Sequence, residues 1–173
     1  MTRYAVRPAV EDDAEVLLAW RNDSQSLRWS RSQEPVVWPE HIRWLRSVLA
    51  AENRLLRILE TDGRQVASVR YDRDPDKPAR VEVNIVVADE ARGQGVGAAT
   101  LRLGEEVLMD SWPEVRTIKA VVHRDNAVSR RLFGKAGYHQ RDEAGPWVTL
   151  AKTIDDEGTA VRPSAPEELP HPT

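Results

Sequence analysis

Three glycines, Gly93, Gly95 and Gly97, alternate within the stretch VVADEARGQGVGAATLR. They follow a β-branched run and open a segment with helical spacing. Such a corner can gather main-chain N–H groups, unobstructed by side chains, at the positive end of a helix, and so hold an anion. A phosphate-binding P-loop would need Gly-Lys-Ser/Thr at the helix start; Gly97 is followed by Ala98 and Ala99, which excludes it. The dinucleotide spacing G-x-G-x-x-G/A is met by Gly93, Gly95 and Ala98. That motif, however, belongs on a first strand-to-helix turn with an acid ending the next strand, and here KAVVH ends in His123. A pyrophosphate held by the amides of residues 93 to 98 without a lysine remains open, beside a helix entry that merely needs positive φ.

Other reactive side chains are sparse. The chain has no cysteine, which removes thiolate catalysis and cysteine-ligated zinc. His41, His123, His139 and His171 show no metal-ligand spacing, so no metal is expected.

The elements that must position the corner follow from pattern. RYAVRP reads as a first strand. EDDAEVLLAWRND reads as a helix capped by Asp12, with Glu15 completing a capping box and Ala14, Leu17 and Leu18 on one face. WPEHIRWLRSVLA is a second helix, with Pro39 in its first turn and Ile42, Leu45 and Leu49 on one side. RLLRILE and QVASVRYD flank the turn TDG, and RVEVNIVVA is the strand before the corner. GAATLRLGEEVLMDSW is the helix after it. RTIKAVVH is a strand, NAVSRRLFGKAGY a helix with Val128, Leu132 and Ala136 on one face, and PWVTLAK the closing strand. The order β-α-α-β-β-β-α-β-α-β predicts an α/β domain with a mostly antiparallel front half.

A length of 173 residues suits one domain, expected over 1–154. The segment 155–173 is acidic, rich in proline and poor in large apolar residues, and is expected to be disordered. It sums to −4 against −3 for the whole chain, which leaves the domain near +1, with no excess charge to attract nucleic acid. No apolar stretch could cross a membrane and no secretory pattern opens the chain; a cytoplasmic protein, monomer or homodimer, is expected.

VVADEARGQGVGAATLR, with Arg92, Gly95 and Gly97 in R/Q-x-x-G-x-G/A spacing, resembles the acyl-CoA-binding motif of the GCN5-related N-acetyltransferases (GNAT). RDNAVSRRLFGKAGY resembles the second conserved segment of that family, an asparagine opening a helix that ends in Lys-x-Gly-aromatic. The similarity covers roughly residues 3 to 152. It implies the GNAT fold, a mixed, mostly antiparallel sheet flanked by helices and splayed between the fourth and fifth strands, and direct attack of a primary amine on the thioester of acetyl-CoA. It places Ile85, Val86 and Val87 along the cofactor arm, with Arg92, Gly93, Gln94, Gly95, Val96, Gly97 and Ala98 around the pyrophosphate. Asn126 matches the family's cofactor-contacting asparagine and also suits a helix N-cap. A main-chain N–H near Val86 or Val87 is the expected oxyanion donor.

For proton transfer the resemblance offers less. Alternation puts Glu82, Asn84 and Val86 on one strand face, so Glu82 is a candidate base, directly or through water, unless it serves as cross-strand partner of an arginine such as Arg70. His41 and His123 are the other titratable candidates. Where many relatives carry a tyrosine acid, this chain has Phe133, so thiolate release is either unassisted or assisted by water. Tyr138 is read as core.

The acceptor must be set by the front of the chain. LLAWRNDSQSLRWSRSQEPVVWPEHIRWL holds Trp20, Trp29, Trp38 and Trp44 among the chain's six tryptophans. Indoles stack on sugars and nucleobases, and Arg21, Asn22, Arg28 and His41 offer partners for hydroxyls or phosphate. The segment resembles GNAT enzymes acting on nucleotide-linked amino sugars, of the pseudaminic-acid and spore-coat polysaccharide type. That implies a small-molecule amine acceptor, an amino sugar, near Trp20, Arg21, Asn22 and His41. The alternatives are a protein N-terminus, an aminoglycoside or other metabolite amine, and a non-catalytic acyl-CoA sensor.

Overall fold

A computed structural model describes residues 2–155. The expected tail lies outside the described residues, apart from Asp155. Strand β1 (Tyr4–Pro8) leads through a 3₁₀ turn (Glu11–Asp13) into helices α1 (Ala14–Asn22), α2 (Ser24–Trp29) and α3 (Trp38–Ala50). Strands β2 (Arg54–Thr61), β3 (Arg64–Arg73) and β4 (Arg80–Val87) form a meander. Helix α4 (Val96–Ser111), strand β5 (Thr117–His123), helix α5 (Ala127–Lys135), and strands β6 (His139–Ala144) and β7 (Trp147–Thr153) complete the chain. The seven-stranded sheet runs β1-β2-β3-β4-β5-β7-β6, antiparallel except for the β4–β5 pair. No helix among the described residues is long and apolar enough to cross a membrane.

The parallel pair is short. Arg80, Val81 and Glu82 pair with Thr117, Ile118 and Lys119, and the ladder stops there. Beyond it the two strands part, leaving a V in the middle of the sheet. Below the V, α4 and α5 cover one sheet face over Val81, Val83, Ile118, Ala120 and Val122, with Leu101, Leu108 and Phe133 filling the layer. The other face lies under α1–α3, where Leu17, Trp20, Leu45 and Val48 are buried with Leu56 and Ile58. Gly104 sets how closely α4 approaches: a Cβ there would meet the Tyr71 hydroxyl at 2.9 Å and Val69 at 3.1 Å.

Two elements escape the periodicity. Helix α2 begins one residue after α1 ends, because the extended Asp23 breaks the helix and caps the next, accepting from the N–H groups of Gln25 and Ser26. Strand β6, HQRDEA, has no alternation because all six residues are exposed; as the outer strand, paired only with β7, it bears charges that discourage edge pairing.

Three local expectations are corrected. The expected Asp12/Glu15 box is absent: α1 is entered from the 3₁₀ turn, and the carboxylate of Asp13 accepts from Val10 N–H (2.8 Å), Arg7 (2.8 Å) and Gln65 (2.8 Å). On α3 the buried face is His41, Leu45 and Val48, whereas Leu49 is exposed, because the stripe is turned by one residue. On α5, Phe133 is buried and Val128 is 75 % exposed; the apolar residues that join the core, Leu132 and Phe133, lie in its C-terminal half.

Candidate active site

A cleft of about 1170 Å³ passes through the V. One side is walled by the sheet face under α1–α3, with Ser68, Arg70, Asn84, Val86, Val121 and His123. The other is walled by the glycine corner and α5, with Gly93, Gly95, Asn126, Leu132 and Phe133.

The corner is built as an anion cradle. Gly93 (φ +73°) and Gly95 (φ +77°) occupy the left-handed region that β-carbons disfavour, with open space beside both. None of the N–H groups from Gly93 to Ala98 makes a well-formed hydrogen bond to the described protein, and the last three open α4. Gly97 serves differently: a Cβ there would meet Leu132 of α5 at 3.0 Å, so its smallness lets the two helices converge. Gln94 braces the loop through its Nε2, which donates to Glu90 O at 2.8 Å. These free donors at a helix mouth fit a diphosphate.

Arg92 lines the cleft, but its guanidinium is already engaged. Nε donates to Val87 O (3.1 Å), one terminal nitrogen to Asp89 (2.9 Å) and the other to Asp23 (2.9 Å). It therefore braces the loop against β4 and α2. Asn126 opens α5 with its Oδ1 accepting from Ser129 N–H at 3.1 Å, which leaves its amide nitrogen for a ligand.

The open edge of β4 can be read from its other edge. Val87, Val86 and Ile85 pair with Ala67, Ser68 and Val69 of β3, and Ala88 N–H donates to Val66 O. Main-chain groups alternate sides along a strand, so the N–H groups of Ile85 and Val87 point into the V and that of Val86 points to β3. Of the two expected oxyanion donors, only Val87 has the required direction.

The acceptor-side residues divide. Asn84 is exposed into the cleft opposite Arg70. Glu82 lies below the opening, 44 % exposed and outside the cleft lining; its partner is Lys119 at 3.2 Å, not Arg70, which pairs with Asp72 at 2.9 Å. His41 is 3 % exposed, and its Nε2 donates to Ala14 O at 2.8 Å. Burial holds its pKa below the usual imidazole value, only partly opposed by that bond. Its ring stacks on Trp44, and the Arg70 guanidinium lies over the same indole, 5.5 Å from the ring centroid. Trp20 is buried in the core under the cleft, 6 % exposed.

Asn22 departs from its expected role as a substrate ligand. Its Nδ2 donates to Val36 O and its Oδ1 accepts from Val36 N–H, both at 2.8 Å, so the amide closes the neck of the loop 22–36. Arg21 spends one terminal nitrogen on Ser32 O (3.3 Å), and the other is buried without a partner in the cleft wall.

Pattern reading missed the cluster that closes the loop over the V. Trp29 packs against His123 (5.4 Å between centroids), and His123 meets Trp147 edge-on at 5.4 Å. Arg28 lies over Trp29 and Arg31 over Trp147. No local pattern signals it, because it is the pairing of β5 with β7 that sets His123 opposite Trp147.

The family model described as acetyltransferase (GNAT) domain matches residues 3–139. No curated protein matches by sequence. Among solved structures, a domain from Methanocaldococcus jannaschii DSM 2661 shares 20% identity over 89% of this chain and 100% of that chain, with a TM-score of 0.78. The aminoglycoside acetyltransferase AAC(6')-Ib in complex with coenzyme A shares 22% over 87% and 95%, with a TM-score of 0.75. A GNAT-family acetyltransferase from Streptococcus pneumoniae shares 17% over 88% and 100%, with a TM-score of 0.71. These likenesses concern the fold.

Proposed function

The chain belongs to the GNAT acetyltransferase family and is an acetyl-CoA-dependent N-acetyltransferase, and from that premise we propose that its acceptor is the amine of a nucleotide-linked amino sugar. Acetyl-CoA bound in the cleft supplies an acetyl group activated as a thioester. The amides of Gly93 to Ala98 hold its diphosphate, Asn126 offers its free amide nitrogen to the cofactor arm, and Phe133 with Ile85 walls the arm against water. Val87 N–H stabilises the negative charge that develops on the carbonyl oxygen. Asn84 orients the amine from the opposite face, and Glu82, two residues along the same face, takes the ammonium proton through water. His41 positions: it fixes Trp44, which carries Arg70 at the cleft wall.

The observation that carries the acceptor assignment is the charge of the lining. Its carboxylates are Asp89 and Asp125, against Arg21, Arg70, Arg92, Arg131 and Lys135. Arg92 is spent on Asp89 and Asp23, and Arg70 gives its Nε to Asp72, so the positive excess rests on Arg21, Arg131, Lys135 and the terminal nitrogens of Arg70. Arg21 and Arg70 stand on the acceptor side, and the indoles of Trp29 and Trp44 share that lining. A polycationic aminoglycoside meets repulsion there, whereas a sugar bearing a nucleoside diphosphate meets guanidinium donors and stacking surfaces.

Thiol release from acetyl-CoA, followed with UDP-linked amino sugars, aminoglycosides and N-terminal peptides in parallel, tests this. The nucleotide-linked amino sugars should give kcat/KM at least tenfold above the other two classes. Preference for peptides or aminoglycosides would overturn the acceptor assignment and leave the family membership intact.

A further inference from the structure

Val86 and His123 stand level on the two arms of the V. Each lies four residues beyond the last paired residues, Glu82 and Lys119. Because side chains alternate along a strand, both point to the face on which Glu82 and Lys119 meet at 3.2 Å. His123 thus enters the cleft across the gap from the open edge of β4.

Its ring is held on three sides. Trp29 packs against it tilted by 43°, Trp147 meets it at 84°, and its Nδ1 accepts from the N–H of Asp125 at 3.2 Å. With Nδ1 acting as acceptor, the proton of the neutral ring belongs on Nε2. Nε2 has no hydrogen-bond partner among the described residues, although the side chain is only 24 % exposed. A clamped ring with one uncommitted donor is a preorganised site for developing negative charge.

The other groups around the V are already occupied or apolar. His41 spends Nε2 on Ala14 O, Glu82 lies outside the lining against Lys119, and Phe133 stacks edge-on against Tyr138 at 5.0 Å with no polar atom to offer. The charged groups facing His123 are Asp125, 3.9 Å from Nδ1, and the guanidiniums of Arg28 and Arg31 over its two flanking indoles.

We propose that His123 Nε2–H is the hydrogen-bond donor to the departing sulfur of acetyl-CoA. As the nitrogen–carbonyl bond forms, the carbon–sulfur bond breaks and its electron pair stays on sulfur, which leaves as a thiolate bonded to Nε2–H. The nitrogen gives up two protons in all, one from the ammonium through water to Glu82 before the attack and one to solvent as the amide forms, and the imidazole keeps its own. The assignment rests on acetyl-CoA use by the family and not on the identity of the acceptor.

Binding of coenzyme A and of desulfo-coenzyme A, measured by calorimetry at pH 8.5, tests it without turnover. The native protein should prefer coenzyme A by about tenfold or more, as expected for a hydrogen bond to a charged partner. His123→Phe keeps a ring between the two indoles and should bind both ligands equally, at the native affinity for desulfo-coenzyme A. His123→Gln, which restores an N–H donor, should recover part of the preference. The kcat for acetyl transfer should fall at least tenfold in His123→Phe, with the Kd for desulfo-coenzyme A unchanged. Equal binding of the two ligands by the native protein would overturn the proposal, and so would a preference that survives in a folded His123→Phe. Failure of the native protein to bind either ligand would instead count against acetyl-CoA use itself.

Discussion

Arg92 and Asp23 are joined by a 2.9 Å ion pair between the glycine corner and the cap of α2. One carboxylate therefore serves both halves of the cleft: it starts the helix that carries Trp29 and steadies the loop meant for the diphosphate. Burial works against the charge on Asp23, but the bonds from Arg92 and Ser26 prevail and hold its pKa below the usual value. Asp23→Ala should raise the KM for acetyl-CoA and for the acceptor together, by about threefold to tenfold, and should cost about 1–2 kcal/mol of stability through the lost cap. In a double-mutant cycle with Arg92→Gln, the two KM effects should be non-additive. Strict additivity in steady-state kinetics would show that the pair does not couple the two sides.

The glycines of the corner separate by mechanism. Gly95→Ala forces a β-carbon into φ +77° with no steric neighbour, so its penalty is conformational, about 1–2 kcal/mol, and falls on the loop. Coenzyme A affinity should drop at least fivefold in calorimetry. Gly97→Ala instead presses on Leu132 at 3.0 Å, and pairing it with Leu132→Ala should relieve the part of its effect due to that contact. If the Leu132 change gives Gly97→Ala no relief in coenzyme A binding, Gly97 acts through the ligand rather than through α5.

Acid stability should depend on Asp13. Hydrogen bonds from Arg7, together with those from Val10 and Gln65 and against the opposing effect of burial, hold its pKa below the usual carboxylate value. A group whose folded pKa lies below its unfolded one stabilises fully above the unfolded value, near ~3.9, and loses that contribution as pH falls through the folded value. Asp13→Asn should cost about 2 kcal/mol in urea unfolding at pH 7, an amount moderated by the 33 % exposure of Arg7. The same variant should also show a shallower loss of stability below pH 4. An unchanged acid slope would assign the acid sensitivity to other carboxylates.

Much of this arrangement was legible in pattern alone, and the failures share a cause. Helix α3 and strands β2 to β5 are each half-buried elements, so their sequences carry a period, and Arg54, Arg80 and Trp38 mark their starts. The glycine corner announced itself because its conformation demands residue types that little else requires. By contrast, β6 buries nothing and α2 is shorter than two turns, so neither has a period to read. The bond of Asn22 to Val36 is invisible to pattern because a polar side chain beside a tryptophan looks the same in sequence whether it faces a ligand or a backbone fourteen residues away. His123 and Trp147 are brought together by pairing across the sheet, which local sequence does not encode.

The loop neck offers the last test, because both side-chain hydrogen bonds of Asn22 go to backbone. Its two bonds to Val36 fix the length of the loop that carries Arg28, Trp29 and Arg31 to the β5–β7 edge. Asn22→Asp retains the acceptor for Val36 N–H but sets a carboxylate against Val36 O, so one bond becomes a repulsion. The variant should raise the acceptor KM about tenfold and leave coenzyme A affinity within twofold of native, because the glycine corner is braced separately through Arg92. Asn22→Gln should also fail to rescue, since the extra methylene cannot present both amide atoms to one residue's backbone. Were Asn22 instead a direct ligand of the acceptor, the defect would vary with the acceptor's hydroxyl pattern. A loosened neck predicts the same loss for every acceptor tested, and a panel of amine substrates distinguishes the two.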